Sequence, residues 1–380
     1  MKIAFLMPLG NMDIQAILED RAPSHFLFSL VKSYVARGNE IVFVTSSNRI
    51  RKTTVIRHEK LCEYIVKINK HGNLRAFLEF KGEIYEIERI LKREKPDIIH
   101  AHWCYEHAMG ALQYDKTKTV ITLHDWPDVV CPAIGNYFWR RREILGNSVL
   151  RDAVHVTAVS GYIAELYKRQ FPDRKISIIP NFIERNILLE EYVPVRHTKT
   201  IYAINNGFGN IKNTKAIMQT FNIVRKKIYD ITLVMYGDGH EENGVANQWA
   251  CQNGLEEGIV FKGNIERNKM LSALEEGGIL LHTSVTEAFG MVLIEAMAKK
   301  VLVIGGEDSG AVPWVLGYGK YGILIDINNP DEIADRLEKV IVNRKAYDDI
   351  VENAYQYVKK EFLIDAVKER YQEEYGKVIV

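Results

Sequence analysis

The chain has 380 residues, and its 50 Lys and Arg against 49 Asp and Glu leave a net charge of +1. This length exceeds what one hydrophobic core usually organises, which predicts two domains. The balanced charge excludes a protein that a global basic field draws to nucleic acid, so no nucleic-acid partner is expected. The 4 cysteines have no paired spacing, and no apolar run reaches transmembrane length, which together predict a cytoplasmic protein. The N-terminus is interpreted as a first buried strand, not as a signal peptide.

In the first half of the chain, apolar strands alternate with amphipathic helices. Helices are expected from a Ser24 cap to residue 37, at 75–93 and at 104–114, and residues 9–23 are expected to form a long loop. Strands are expected at residues 2–7, 40–45, 64–68, 97–100, 119–123, 153–159 and 175–179.

A charged stretch without periodicity, residues 184–199, predicts a linker before a second alternating series. The expected strands are 200–204, 231–236, 259–263, 278–283, 301–304 and 322–325, and the expected helices are 214–228, 243–253, 267–276, 291–300, 330–343, 345–360 and 365–375. Such alternation predicts α/β architecture with parallel sheets, which bind ligands at the carboxyl ends of their strands.

The most informative stretch runs from residue 284 to residue 298, where a strand ends, a glycine turn follows and a helix begins at Gly290. The free amides and the dipole of such a helix start favour an anion. Glu287 precedes the helix, and Glu295 lies on its apolar face, where an unpaired charge would be costly. Glu295 then either pairs with a core Lys or Arg or binds a ligand. Two glutamates around a glycine suit a ligand with both hydroxyls and phosphates, such as a nucleotide-sugar.

The run Glu287-Ala-Phe-Gly-Met-Val-Leu-Ile-Glu295 resembles the Glu-x7-Glu signature of the retaining GT-B glycosyltransferases of family four, the glycosyl transferases group 1. The resemblance implies two doubly wound Rossmann-like domains that face each other across a cleft. Residues 1–190 would form the acceptor-side domain and residues 191–362 the nucleotide-sugar-binding domain. Residues 363–380 would form a C-terminal helix that returns to the first domain.

The resemblance also implies the site. His124, Lys212 and Glu287 are the expected catalytic residues. Donor binding is expected from Gly207, Gly209, Lys212, Lys262, Phe289, Gly290, Met291, Val292 and Glu295. The loop that carries Lys212 is no Walker loop, and the Arg that family members usually have after its glycine is absent, with Phe208 or a neighbour in its place.

Two other sequences require interpretation. His100, His102, Cys104 and His107 have no standard zinc spacing, so no metal is expected. Asp125 either orients His124 or caps the turn. The run of residues 137–142, Tyr-Phe-Trp-Arg-Arg-Arg, suits an anionic membrane, and it equally suits a solvated basic turn or an acceptor-phosphate site.

The expected function is therefore retaining transfer of a hexose-type sugar from a nucleotide-diphosphate sugar to a hydroxyl acceptor, which is a glycan, a lipid or a small molecule. No Asp-x-Asp strand end is found, so a metal-independent reaction without a cofactor is expected, with peripheral contact at the inner membrane face as an additional hypothesis. The alternatives are a non-catalytic GT-B subunit of a glycosyltransferase complex and another GT-B enzyme, such as a phosphorylase or an epimerase.

Overall fold

The computed structural model describes residues 1–19, 21, 25–189 and 194–379. The chain divides into an N-terminal unit, Met1–Pro180 with Val367–Val380, and a C-terminal unit, Asn181–Ala366. The sequence analysis set these boundaries after residues 190 and 362. The described part of the expected linker belongs to the C-terminal unit, where Leu189 N–H donates to the carbonyl of Ala298 at 3.2 Å. The expected Ser24 cap and residues 190–193 lie outside the described residues.

The N-terminal unit alternates strands and helices as expected. Its strands are β1 (Lys2–Leu6), β2 (Glu40–Ser47), β3 (Thr54–Arg57), β4 (Leu61–Lys67), β5 (Ile98–His102), β6 (Thr119–Leu123), β7 (His155–Ala158) and β8 (Ser177–Ile178). Its helices are α1 (Asn11–Leu18), α2 (Phe26–Ala36), α3 (Gly72–Phe77), α4 (Lys81–Glu94), α5 (Glu106–Asp115), α6 (Pro127–Ile134), α7 (Tyr137–Asp152) and α8 (Gly161–Gln170).

These strands form one sheet in the order β3-β4-β2-β1-β5-β6-β7-β8. All neighbours are parallel except β3 and β4. Strands β1, β5 and β6 are buried almost throughout, as expected of a sheet with helices on both faces. The carboxyl ends of β5 and β6 therefore lie side by side and carry His102 and His124.

Three local expectations for this unit were wrong. Residues 11–18 of the expected loop form helix α1. Strand β3 was missed because its residues alternate between half-buried and exposed without a continuous apolar run. The single helix expected at 75–93 is two helices, α3 and α4, because Glu79 and Phe80 adopt positive φ. That left-handed turn brings the Phe80 ring into a small core with Ala76 and Ile84.

The C-terminal unit is a second parallel sheet, in the order β11-β10-β9-β12-β13-β14. Its strands are β9 (Thr200–Ile204), β10 (Thr232–Tyr236), β11 (Ile259–Gly263), β12 (Ile279–His282), β13 (Leu302–Gly306) and β14 (Ile323–Ile325). Its helices are α9 (Thr214–Arg225), α10 (Val245–Asn253), α11 (Arg267–Leu274), α12 (Met291–Ala298), α13 (Val312–Val315), α14 (Pro330–Val342) and α15 (Asp348–Glu361); α16 (Ile364–Ile379) begins here and continues in the N-terminal unit.

The most restricted glycine at the carboxyl edge of this second sheet is Gly237, which follows β10. Its φ is +117°, and a Cβ atom there would lie 1.8 Å from the carbonyl oxygen of Asn205. Asn205 follows β9, and its N–H donates to the carbonyl of Tyr236 at 3.0 Å. Only glycine permits this close approach, so Gly237 fixes the spacing between the loops after β9 and β10.

Replacing Gly237 tests this constraint. Gly237→Ala should destabilise the C-terminal unit by about 2–5 kcal/mol, because strain at positive φ and a clash with the backbone add together. Denaturant unfolding followed by circular dichroism measures the loss. Gly209→Ala is the matched control, since a Cβ atom at Gly209 meets nothing within 4 Å. Equal stability of the two variants would contradict the proposed constraint.

Candidate active site

The loops after four strands of the C-terminal sheet are joined by backbone hydrogen bonds. Gly207 N–H donates to the carbonyl of Asp238 (2.9 Å), Val285 N–H to that of Ile211 (2.7 Å), and Ala311 N–H to that of Glu287 (2.8 Å). Because all six strands are parallel, these loops lie at one edge. The edge is therefore a continuous surface built from the loops after β9, β10, β12 and β13.

Lys212 and Glu287 are in direct contact on this surface. Lys212 Nζ donates to Glu287 Oε1 at 2.6 Å, and the exposed fractions of the two side chains are 27% and 17%. His282 Nε2 lies 3.4 Å from the same carboxylate oxygen, and the ring of His282 is buried. Two residues named as catalytic from the sequence are thus brought together, with a buried histidine that the sequence analysis did not identify.

The electrostatic environment keeps Glu287 ionised. Burial alone would raise the pKa of its carboxyl, but contact with His282 and the charge of Lys212 outweigh it and lower the pKa from 4.5 to about 2. The carboxylate therefore accepts hydrogen bonds and does not donate them over the physiological pH range.

Helix α12 begins directly after this pair. Gly290 caps it with φ +86°, where a Cβ atom would lie 2.9 Å from the side chain of Leu293. The first-turn amides of Met291 and Val292 have no acceptor within the helix and are available to an anion. Phe289 is buried against Trp314 and Phe362. Its ring anchors the loop, so its contribution to a ligand site is through the main chain.

Buried Glu295 forms an ion pair with Arg267, a partly exposed residue at the start of α11. Arg267 Nε donates to Glu295 Oε1 at 2.7 Å, and a second guanidinium nitrogen lies 2.5 Å from the same oxygen. Burial raises the pKa of Glu295, and Arg267 opposes that shift. The sequence predicted that Glu295 either pairs with a core Lys or Arg or binds a ligand, and the cation beside it, Arg267, is 38% exposed and does not belong to the core. Both contacts end on Oε1, one of the two carboxylate oxygens.

The glycine loop after β9 is more open than the rest of the site. A Cβ atom at Gly207 or Gly209 would meet nothing within 4 Å, although Gly207 has φ +93°. Phe208, which stands near the position of the missing Arg, packs against Trp249 at 6.0 Å between ring centroids. Lys262 is exposed on β11. The loop therefore offers backbone amides and Lys212, while Phe208 is committed to packing.

Several buried polar atoms at this edge have no hydrogen-bond partner among the described residues. They are both side-chain polar atoms of Asn205, Thr214 Oγ1, His240 Nε2, His282 Nδ1, Ser284 Oγ and Ser309 Oγ. Buried polar groups are normally satisfied, and each unsatisfied one costs free energy. Their concentration at the carboxyl ends of β9, β10, β12 and β13 marks a surface shaped for a polar ligand.

His124 lies in the N-terminal unit, directly after β6. Its Nε2 is 2.9 Å from His102 Nδ1, and its ring lies 4.4 Å from that of Trp103, measured between centroids. Burial, with smaller contributions from His25 and His100, lowers the pKa of His124 to about 3, so the imidazole is neutral at pH 7. Trp103 has φ +64°, a strained conformation for a non-glycine residue of the kind that concentrates at functional sites.

Asp125 does not orient His124 through a contact in the structure. Its Oδ1 accepts from the hydroxyl of Tyr105 at 3.1 Å, and burial raises its pKa to about 6 against the opposing charge of Arg142. His102 holds His124 instead. The sequence analysis missed this role because the two histidines meet only through the pairing of β5 with β6.

Both ring nitrogens of His100 have hydrogen-bond partners. Its Nδ1 is 2.7 Å from the Tyr375 hydroxyl and its Nε2 is 2.7 Å from Thr122 Oγ1. Across the described ranges, no group of three or more His, Cys, Asp or Glu residues is arranged to hold a metal ion.

The basic run at residues 137–142 is helical, which corrects its interpretation as a turn. It begins α7, and Asn136 caps it by accepting from Trp139 N–H at 3.0 Å. Arg142 is enclosed, because its guanidinium lies 3.9 Å from the Tyr105 ring centroid and pairs with Glu106 at 3.0 Å. Of the three arginines, Arg140 is exposed.

Comparison with known proteins identifies the family of this chain. The model described as Glycosyl transferases group 1 matches residues 192–357, and the model described as Glycosyltransferase Family 4 matches residues 24–186. The chain belongs to the group 1 glycosyltransferases of the GT-B fold. The N-acetyl-alpha-D-glucosaminyl L-malate synthase of Bacillus anthracis is 26% identical over 367 residues, covering 92% of each chain.

Solved structures of low sequence identity share the fold of this glycosyltransferase. Sucrose-phosphate synthase from Thermosynechococcus elongatus superposes with a TM-score of 0.76 at 16% identity, over 99% of this chain and 98% of that one. A trehalose-6-phosphate protein from E. coli bound with UDP-2-fluoro glucose gives a TM-score of 0.74 at 10% identity, over 100% of both chains. Among the helices of the described ranges, none combines the length and apolarity needed to span a bilayer.

The depressed pKa of Glu287 predicts a pH-dependent contribution to stability. Relative to Glu287→Gln, the wild-type enzyme should be stabilised by up to about 3 kcal/mol above pH 4.5, because its folded pKa is about 2 and its ordinary value is 4.5. This advantage should decrease as the pH falls from 4.5 towards 2, where the carboxylate becomes protonated in both states. Denaturant unfolding of both proteins across this range measures the difference.

Glu256→Gln is the control, since Glu256 is exposed. Its unfolding free energy relative to wild type should stay nearly constant over the same pH range. A flat difference for Glu287→Gln as well would contradict the electrostatic description of the Lys212–Glu287 contact.

Proposed function

We propose that the enzyme transfers a hexose-type sugar from a nucleotide-diphosphate sugar to a hydroxyl acceptor, with retention of anomeric configuration and without a divalent metal. The observation that carries the proposal is the Lys212–Glu287 contact directly before the N-terminus of α12. A cation, free helix amides and an ionised carboxylate at one strand edge match a ligand that combines a diphosphate with sugar hydroxyls.

In this proposal, charge on the leaving diphosphate is stabilised by the protein. Lys212 has three N–H donors, and its bond to Glu287 Oε1 uses one of them. The others remain for phosphate oxygens, together with the amides of Met291 and Val292. These groups are held in place before the reaction by the loop hydrogen bonds, and such preorganised charges are effective in transition-state stabilisation. Retention would follow if the leaving diphosphate, on the same face of the sugar, accepts the acceptor's proton.

The two carboxylates would contact different parts of the donor. Glu287, ionised and partly accessible, would accept hydrogen bonds from sugar hydroxyls. Glu295 would accept from the ribose diol, with Arg267 holding its Oε1 and compensating its charge. Arg267 also adds a cation to a site in which the usual loop Arg is absent. His124 lies in the N-terminal unit, where it is neutral and held by His102, and its expected catalytic role stays a prediction.

The relatives support a nucleotide-sugar donor with a hexose. The Bacillus anthracis relative is named N-acetyl-alpha-D-glucosaminyl L-malate synthase, and the E. coli structure holds UDP-2-fluoro glucose. The proposed acceptor is a hydroxyl group of a glycan, a lipid or a small molecule. With a glycan or lipid acceptor, the enzyme would act in polysaccharide or glycolipid synthesis. All four cysteines are free thiols, which supports action in a reducing compartment.

A donor screen tests the function. The purified enzyme is incubated with UDP-, GDP- and ADP-hexoses, with and without candidate hydroxyl acceptors, and nucleotide release is measured. Acceptor-dependent release with one donor class is expected, and the anomeric configuration of the product is then determined by NMR. An inverted product would contradict retention.

The same assay separates the alternatives. Activity should survive exhaustive EDTA treatment, and restoration by Mg²⁺ or Mn²⁺ of an enzyme silenced by EDTA would contradict metal independence. Donor binding without turnover for any acceptor would instead favour the non-catalytic subunit, and release of sugar phosphate in the presence of inorganic phosphate would favour a phosphorylase.

Lys212 and Glu295 should differ in their kinetic effects. Lys212→Ala should lower kcat, with an increase in activation free energy on the order of 2–4 kcal/mol. The reason is that the charge stabilised by Lys212 grows as the diphosphate leaves. Glu295→Gln should chiefly raise KM for the donor, by roughly tenfold, because the ribose contact is equal in the ground and transition states. Steady-state kinetics with the donor from the screen measures both.

Lys269→Ala serves as the control for Lys212→Ala, since Lys269 is exposed in the same unit and pairs with Glu266 at the surface. Its kinetic constants should match those of the wild type. Unchanged turnover in Lys212→Ala would remove Lys212 from the proposed site.

A further inference from the structure

A face of the N-terminal unit exposes large apolar side chains at the junction of α3 with α4, on α4 and on α7. The exposed fractions are 68% for Phe77, 54% for Leu78, 61% for Tyr85 and 57% for Ile144. We call this set the apolar face. A contiguous exposed apolar surface of this kind on a globular domain commonly marks an interaction site.

The backbone beneath the apolar face has a defined conformation. Positive φ at Glu79 and Phe80 turns the Phe80 ring inward and leaves Phe77 and Leu78 outside. Arg75 holds the turn from beneath, because its guanidinium donates to both carboxylate oxygens of Glu83 at 2.9 and 2.7 Å. The exposed side chains are thus fixed in position by a left-handed turn and a buried ion pair.

Three cavities with shared lining residues connect Leu78, Tyr85 and Ile144, and Phe77 directly precedes Leu78 in the chain. A cavity of about 420 Å³ is lined by Phe80, Tyr85 and Ile144 among other residues. Ile144 also borders a second cavity of about 540 Å³ that contains Arg140 and Arg151. Phe80 also borders a third cavity of about 120 Å³, which contains Leu78 and Lys67. The apolar centre is therefore flanked by basic grooves on two sides.

The charges around the face are predominantly positive. Lys67, Arg140 and Arg151 are exposed. Three acidic side chains line these cavities. Glu79 is compensated twice, by Lys81 at 2.9 Å and by Arg141 at 3.0 Å. Glu83 pairs with Arg75, and Glu143 lines the same cavity as Arg140 and Arg151. The face therefore combines protruding apolar groups with an excess of cations.

We propose that this face docks the protein peripherally on an anionic phospholipid bilayer. Phe77, Leu78, Tyr85 and Ile144 enter the boundary between headgroups and acyl chains, while the flanking cations contact lipid phosphates. A second copy of the chain fits less well, because a two-fold contact of the face with itself brings like-charged grooves together. The proposal goes beyond the transfer reaction, and its test does not require activity.

Vesicle flotation of the full-length protein tests the proposal. Phosphatidylcholine vesicles are compared with vesicles that also contain phosphatidylglycerol. Wild-type protein should bind the anionic vesicles roughly tenfold more tightly, and this preference should weaken as salt is added. The double variants Phe77→Ser with Leu78→Ser and Arg140→Glu with Arg151→Glu should each lower the affinity about tenfold or more.

Matched controls come from the C-terminal unit. Tyr229 and Val342 are 82% and 68% exposed, so Tyr229→Ser with Val342→Ser tests apolar surface in general. Arg336→Glu with Lys339→Glu, at exposed positions of α14, tests net charge. Neither control should change vesicle binding. Thermal unfolding verifies that each variant is folded, and Ile144→Ser replaces the Phe77 variant if that one unfolds.

Equal binding to neutral and anionic vesicles would overturn the proposal, as would unchanged binding of both face variants. Analytical ultracentrifugation supplies the remaining test. The membrane assignment fails if the wild type is a dimer that does not bind vesicles and the Phe77 and Leu78 variant is a monomer. The face is then an interface between copies of the chain.

Discussion

The contact between Lys212 and Glu287 is the interaction on which the candidate site depends. It joins side chains 75 positions apart in the sequence, and the main chain repeats the connection, since Glu287 accepts from Ala311 N–H and Ile211 accepts from Val285 N–H. These contacts therefore fix the positions of three loops, those after β9, β12 and β13, relative to one another. Without ligand, each charge satisfies the other in a half-buried setting where either alone would be costly. In the proposed reaction, a diphosphate would compete with Glu287 for a lysine that is already in place.

The C-terminal unit could be predicted closely from the sequence, because local signals and long-range structure agree there. Residues 200–204 and 259–263 are strands as expected, and α12 begins after Gly290 as expected. Short apolar runs followed by glycine define these strand ends without any knowledge of neighbours. The glycines occur where the backbone needs positive φ or close approach, as Gly237 does beside Asn205. Local and tertiary requirements therefore select the same residues.

The parts that could not be predicted depend on contacts between distant residues. A buried Glu295 required a partner, but nothing in the polar sequence around Arg267 indicated that it would be that partner, 28 positions away. The break between α3 and α4 is similar. Residues 75–93 have helical periodicity on both sides of Glu79, and the left-handed turn is selected by packing of Phe80 and by the Arg75–Glu83 pair. Tertiary packing overrides helix propensity at that position.

The histidines of the N-terminal unit show how such a distant contact controls the chemistry of a site. Burial keeps His124 neutral, and the pKa of His102 is lowered for the same reason, so each ring carries one N–H. The 2.9 Å contact between His102 Nδ1 and His124 Nε2 requires one of these atoms to donate and the other to accept. If His102 Nδ1 donates, His124 holds its proton on Nδ1, and this atom is then a donor. If His124 Nε2 donates, its Nδ1 is an acceptor. The tautomer of His102 therefore decides whether His124 gives or receives a hydrogen bond at the end of β6.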